Sequence, residues 1–227
     1  MWGMKPTIII TGATGGIGLE VAHLLRDADL ILLGRNPQKL AQLQQEFPDA
    51  TTAAVSLTNE DAVTTLLQPL ARMDAIIHCA GEVVLGSIAE SKTEDWESMF
   101  QSNVLTSLVL TRQALPLLRA SRGKVIFVNS GAGLRANASW GGYAASKFAL
   151  KALADALRQE ESSISVTTIY PGRTATDMQK QVRSMEQASY DAEKYVRAAD
   201  VAAAIKLVLD MQHPSVIEEL SIRPASS

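Results

Sequence analysis

The chain has 227 residues, 47% of them hydrophobic, and a formal net charge of −3. That balance leaves no global basic field to draw in nucleic acid, and a single cysteine cannot form an internal disulfide. No apolar run approaches the roughly 20 residues of a membrane span, and the apolar stretch after Lys5 is too short for a signal-peptide core. A cytoplasmic protein with neither membrane nor nucleic-acid partners is expected.

Short apolar runs alternate with longer helical patterns. A strand at Thr7–Thr11 leads through glycines to a helix at Ile17–Arg26. Strand Leu30–Gly34 precedes helix Pro37–Glu46, where Pro37 suits a first turn. Strand Thr52–Val55 and helix Asn59–Leu67 follow, then strand Ala75–Cys79 and one long helix over Thr93–Leu118. Next come strand Lys124–Asn129, helix Tyr143–Glu161, strand Ser165–Tyr170, helix Ala199–Met211 and strand Val216–Ile222. Runs such as Ile8-Ile9-Ile10 are apolar without alternation, which means strands covered on both faces. The pattern predicts an α/β fold: a Rossmann-like, doubly wound, seven-stranded, mainly parallel sheet with helices on both faces. No linker or repeat divides the chain, so one domain over 1–227 is expected. Residues 172–198 break the rhythm; a long connection in a compact domain is usually functional, and a substrate lid is expected there, with a plain surface helix as the competing expectation.

The opening Thr11-Gly12-Ala13-Thr14-Gly15-Gly16-Ile17-Gly18 follows an apolar strand and starts a helix. Glycines there permit a tight turn and close approach of backbone to a pyrophosphate, which the free N–H groups of the helix start then meet. Gly12, Thr14, Gly15, Gly16, Ile17 and Gly18 are therefore expected to hold a dinucleotide. Two glycine spacings fit equally, Gly12/Gly16/Gly18 and Gly12/Gly15/Gly18, and the second occurs in longer proteins acting on sugar nucleotides. An NAD site usually carries a carboxylate at the end of the second strand. Here that end reads Leu33-Gly34-Arg35-Asn36. Arg35, beside Asn36, offers a guanidinium to a 2′-phosphate, so NADPH is expected over NADH. Exchanging Gly34 for Asp and Arg35 for Ala should reverse that preference.

Tyr143-Ala144-Ala145-Ser146-Lys147 puts a phenol and an ammonium on one helix face. A neighbouring cation favours phenolate and lowers the phenol pKa, which suits proton transfer. Ser130 ends a strand at the rim where open parallel sheets bind ligands. Asn103 interrupts a helical pattern, where asparagine is a mediocre former.

These residues resemble the short-chain dehydrogenase/reductase family, in its shorter single-domain branch, and the resemblance covers nearly the whole chain. It is carried by Thr11–Gly18, Ala80-Gly81, Asn103, Ser130, Tyr143-x-x-x-Lys147 and Pro171-Gly172-x-x-x-Thr176. The resemblance implies direct hydride transfer between a nicotinamide and a carbonyl or alcohol carbon, without metal. Tyr143 would exchange the proton, Lys147 would lower the tyrosine pKa and hold the ribose hydroxyls, and Ser130 would orient the substrate oxygen. Asn103 would anchor a water joining Lys147 to solvent, and Pro171, Gly172, Thr174 and Thr176 would run along the nicotinamide. Adenine contacts would fall to Ser56 and Leu57, where the family commonly has an aspartate first. His78-Cys79 replaces the family's frequent paired asparagines and is expected to be core, not a metal or nucleophile site. Gly15 occupies a place where relatives that prefer NADP often carry a basic residue, which throws phosphate recognition onto Arg35.

Leu134, Arg135, Trp140 and Met178 are expected to line the substrate pocket. Arg135, Arg173 and Arg183 are candidates to meet a carboxylate or phosphate. The function expected is interconversion of a carbonyl and a secondary alcohol. The alternatives are a non-catalytic dinucleotide-binding sensor or scaffold, and a sugar-nucleotide epimerase or dehydratase. The resemblance also implies a homodimer or homotetramer, paired through the helical segments Trp96–Leu118 and Tyr143–Glu161, with Val216–Ile222 as a second contact.

Overall fold

The structure is a computed structural model and describes residues 5–225. Its elements are β1 (Thr7–Thr11), α1 (Gly16–Leu24), β2 (Asp29–Leu33), α2 (Pro37–Glu46), β3 (Thr51–Ala53), α3 (Glu60–Leu67) and β4 (Ala75–His78). They continue with α4 (Thr93–Phe100), α5 (Thr106–Ser121), β5 (Lys124–Val128), α6 (Gly141–Glu160) and β6 (Ser165–Pro171). The last are β7 (Thr174–Ala175), α7 (Asp177–Met185), β8 (Val196–Arg197), α8 (Ala198–Asp210) and β9 (Glu219–Ile222).

Seven strands form one sheet in the order β3-β2-β1-β4-β5-β6-β9. Every pairing is parallel, so the sheet is wholly rather than mainly parallel. The unbroken apolar strands explain this. Alternate residues of β1 enter two separate cores: Ile8 and Ile10 pack on one face with Val21, Leu40 and Ile205. Ile9 packs on the other with Leu110, Leu118 and Leu150. The strand order reverses beside β1, between it and β4, which opens a crevice at the carboxyl ends of both strands, the usual ligand site of open parallel sheets.

Two departures from the sequence-based expectation matter. The long helix over Thr93–Leu118 is divided by a wide π-turn at Gln101–Leu105, centred on Asn103, and runs on to Ser121. The last strand begins at Glu219, not Val216, where its register with β6 starts opposite Thr168. Within the connection 172–198, β7 and β8 pair in parallel beside α7, whose Val182 is buried in one cluster with Trp140 and Tyr143.

Candidate active site

Gly12 and Gly18 shape the crevice. Gly12 has φ +66°, and a Cβ on it would lie 2.8 Å from the Ala80 nitrogen. A Cβ on Gly18 would lie 2.4 Å from the Gly12 carbonyl oxygen. Only glycine lets α1 pack that closely on the end of β1. Gly15 differs: a Cβ there would meet nothing within 4 Å. Moreover, α1 has no side-chain cap, so its first N–H groups lack intrahelical partners and open toward that free space. Bare donors with room in front of them fit a pyrophosphate.

The cleft beyond has a volume of about 1080 Å³. It brings together Gly12, Thr14, Gly15, Gly16, Ile17, Arg35, Asn36, Ser56, Leu57, Ala80 and Gly81 at one end, and Pro171, Gly172, Thr174 and Thr176 along its side. Ser130, Tyr143 and Lys147 share it, as do Leu134, Arg135, Trp140 and Met178. Gly18 and Asn103 lie behind the wall, Gly18 buried in the first turn of α1 and Asn103 fully buried. Several of these side chains are already engaged. Asn36 caps α2 by accepting from the Lys39 N–H at 3.0 Å. Thr176 caps α7 by accepting from the Gln179 N–H at 3.3 Å, and Thr174 Oγ1 donates to the Gly172 carbonyl at 3.0 Å.

Tyr143 and Lys147 both point inward from α6 and are 7% and 4% exposed. Burial pushes the Tyr143 phenol up to about 12, and a hydrogen bond with Ser130 works in the opposite direction. The lowering expected from the Lys147 ammonium is therefore corrected. That ammonium lies 5.8 Å from the phenol ring centroid and donates to the Val128 carbonyl at 3.2 Å, while burial depresses it to about 8. Desolvation of the phenol is the larger influence, and the partly desolvated ammonium does not offset it.

Asn103 is held on three sides. Its Oδ1 accepts from the Glu82 N–H at 2.7 Å, and its Nδ2 donates to the Glu82 carbonyl at 3.0 Å and to Ser146 Oγ at 2.9 Å. Both amide hydrogens are used on protein partners, so the side chain fixes the Glu82 backbone and the Ser146 hydroxyl as a positioning residue. Ser146 Oγ passes the link on by donating to the Tyr143 carbonyl at 2.8 Å. Asn129 does similar work: Nδ2 donates to the Lys147 carbonyl at 3.0 Å, and Oδ1 accepts from the Ser130 N–H at 2.8 Å. Asn129 and Ser146 were missed by sequence, although each adjoins a residue singled out there.

Four charged cleft residues were also missed: Lys39, Glu82, Asp177 and Arg223. Glu82 accepts from Ser98 Oγ at 3.1 Å and faces Arg35 at 3.6 Å. His78 is core as expected, its Nε2 2.9 Å from Thr111 Oγ1 and its ring stacked on Phe127 at 5.0 Å. Cys79 touches the cleft, and burial raises its thiol to about 12. Among the described residues, no group of three or more His, Cys, Asp or Glu side chains is placed to hold a metal, and no helix is long and apolar enough to cross a membrane.

The chain matches the short chain dehydrogenase family over residues 6–187. It is 34% identical over 212 residues to YciK, an uncharacterized oxidoreductase of Escherichia coli (strain K12), a match covering 86% of this chain and 82% of that one. It is 27% identical over 226 residues to an uncharacterized oxidoreductase of Staphylococcus epidermidis, covering 95% and 96%. A solved short chain dehydrogenase of Shigella flexneri 2a, complexed with NADP, superposes with a TM-score of 0.86 at 29% identity over 95% of each chain. The alcohol dehydrogenase of the archaeon Thermococcus sibiricus, complexed with 5-hydroxy-NADP, shares the fold with a TM-score of 0.87 at 22% identity, covering 99% of this chain and 98% of that one.

Proposed function

Because the chain belongs to the short chain dehydrogenase family, we propose that it is an NADP(H)-dependent oxidoreductase that interconverts a carbonyl and a secondary alcohol. The observation that carries this is the buried Tyr143 phenol, which shares with Ser130 and Lys147 a cleft whose other end fits a pyrophosphate. When bound, the nicotinamide supplies or takes up the hydride. In the reducing direction Tyr143 donates its proton to the carbonyl oxygen, which Ser130 Oγ orients. A phenol held near 12 is fully protonated at neutral pH and ready to donate. Lys147, one turn on, places positive charge near the oxygen that is left behind. Asn129, Asn103 and Ser146 fix the backbone carrying these three groups.

Arg35 supports NADP(H) over NAD(H). It is 80% exposed, it lies at the carboxyl end of β2 where no carboxylate stands, and Lys39 adds a second positive charge to the same end of the cleft. The NADP complex of the Shigella flexneri relative supports the same preference. Exposed Leu105 and Phe148, at 45% and 43%, support self-association through α5 and α6. The test of function is oxidation of NADPH against a chemically varied carbonyl panel, with NADH in parallel. Turnover of one substrate group with NADPH is expected; silence across the panel with NADPH bound would favour a non-catalytic sensor.

A further inference from the structure

Arg135, Arg173 and Arg183 stood out in the sequence as partners for an anionic substrate group. Two of them are already spent. Arg173 donates Nη1 and Nη2 to the Glu186 carboxylate at 2.8 and 2.6 Å, and Arg183 Nη1 donates to the same carboxylate at 2.7 Å. Arg173 also lies over the Trp140 ring at 5.6 Å. Neither can take a bidentate ligand without breaking a charge-assisted pair.

Arg135 is different, and the structure brings Arg223 to join it. Both line the cleft, and among the described residues neither has a carboxylate partner. Arg223 follows β9, and its Nη1 donates to the carbonyls of Tyr170 at 2.7 Å and Ile222 at 3.3 Å. Those bonds fix the guanidinium at the end of β6 without neutralising it, because carbonyls carry no net charge. Its Nη2 comes within 3.3 Å of where a Cβ on Gly131 would stand. Arg135 is tied to the same turn, its N–H donating to the Gly131 carbonyl at 3.2 Å. Gly131 immediately follows Ser130. Arg135 and Arg223 thus both line the cleft beside the turn that carries the substrate-orienting hydroxyl, without a carboxylate partner among the described residues. The carboxylates lining the cleft are committed elsewhere: Glu82 faces Arg35, and Asp177 pairs with Lys180 at 2.9 Å.

We propose that Arg135 and Arg223 form the anion-binding end of the substrate site, and that the carbonyl compound reduced here carries a carboxylate or phosphate. Its apolar part lies against Leu134, Trp140 and Val182. This assignment rests on the oxidoreductase function proposed above.

The experiment measures NADPH-dependent turnover of matched pairs: phenylpyruvate, acetoacetate and levulinate against their methyl esters, and dihydroxyacetone phosphate against dihydroxyacetone. At least one anion is expected to exceed its neutral partner by about tenfold or more in kcat/KM, and which pair responds separates carboxylate from phosphate. Arg223→Gln and Arg135→Gln should each lower kcat/KM for that anion about tenfold more than for its neutral partner. The neutral partner reports that the variant is folded. Equal turnover of anion and neutral partner in the unsubstituted protein, or an equal loss of both in the variants, overturns the proposal. Calorimetric titration of the same anions into NADP-loaded protein separates the two levels of inference. Anions that bind, lose binding in Arg223→Gln, and are not reduced leave the anion site standing and remove the reductase function. Anions that do not bind overturn the anion site, whether or not a neutral partner is reduced.

Discussion

Arg35 Nη1 stands 3.6 Å from a Glu82 carboxylate oxygen, linking the carboxyl ends of β2 and β4, which β1 separates in the sheet. Glu82 is not loosely placed. Asn103 grips its backbone on both sides, and Ser98 holds its carboxylate. A 2′-phosphate reaching Arg35 must therefore displace a carboxylate that is already there. Glu82→Gln should strengthen NADP(H) binding by up to about fivefold, the upper end for an exposed ion pair. NAD(H) binding should gain nothing. Fluorescence titration with NADPH and NADH checks this, and an unchanged NADPH affinity would show that the two anions do not compete.

Cofactor preference is better tested at Arg35 alone than by the double exchange suggested by the sequence. A Cβ at Gly34 would lie 2.6 Å from the Thr14 methyl carbon, so Gly34→Asp disturbs the glycine turn as well as the charge. Arg35→Asp changes only an exposed side chain. It should invert the NADPH to NADH ratio of kcat/KM, because the phosphate meets a like charge and ribose hydroxyls meet an acceptor. A ratio that stays on the NADPH side would move phosphate recognition to Lys39.

Much of this was legible because parallel strands advertise themselves. Ile8-Ile9-Ile10 must face apolar neighbours on both sides, and the two cores receive its residues alternately. Tyr143 and Lys147 were visible from their spacing, since four residues on a helix make one face. The electrostatics were not. Whether Lys147 lowers the phenol depends on desolvation, which local spacing does not carry, and burial proved the larger influence. Arg223 was invisible for another reason: it reaches Ser130's turn only because β9 pairs with β6, a contact spanning some fifty residues of chain.

Tyr143→Phe keeps the ring that packs edge-to-face on Trp140 at 5.8 Å and removes only the hydroxyl. Turnover should fall by roughly 10²- to 10⁴-fold, the usual weight of a general acid. NADPH affinity should stay within about twofold, since the pyrophosphate contacts are untouched. Steady-state kinetics paired with NADPH titration makes the measurement. Substantial retained turnover would mean that the proton comes from another group.

Ser130 controls Tyr143 in the alkaline direction. Oxidation of an alcohol needs Tyr143 as a base, so its rate should rise with pH toward the phenol pKa. The Ser130 hydrogen bond lowers that pKa against the effect of burial. Ser130→Ala should therefore move the alkaline limb of kcat/KM for alcohol oxidation to higher pH, besides lowering its height. A limb that keeps its position would detach Ser130 from the titration and leave it a purely orienting part.

His78 makes the fold sensitive to mild acid. Burial lowers its pKa from 6.5 to about 3. Between those values the unfolded chain binds a proton that the folded chain refuses. His78 thus costs the fold nothing above pH 6.5, and stability falls as pH drops through that window, by at most about 1.4 kcal/mol per unit. Carboxylates such as Glu161, lowered from 4.5 by Arg119, begin to lose their stabilising contribution only as pH falls near and below their unfolded values, so the upper part of the window belongs to His78. His78→Asn loses the stacking on Phe127 and should be less stable at neutral pH. Its stability should nevertheless change less between neutral pH and pH about 5 than that of the unsubstituted chain. Urea denaturation at the two pH values reads both slopes, and equal slopes would place the acid sensitivity in another group.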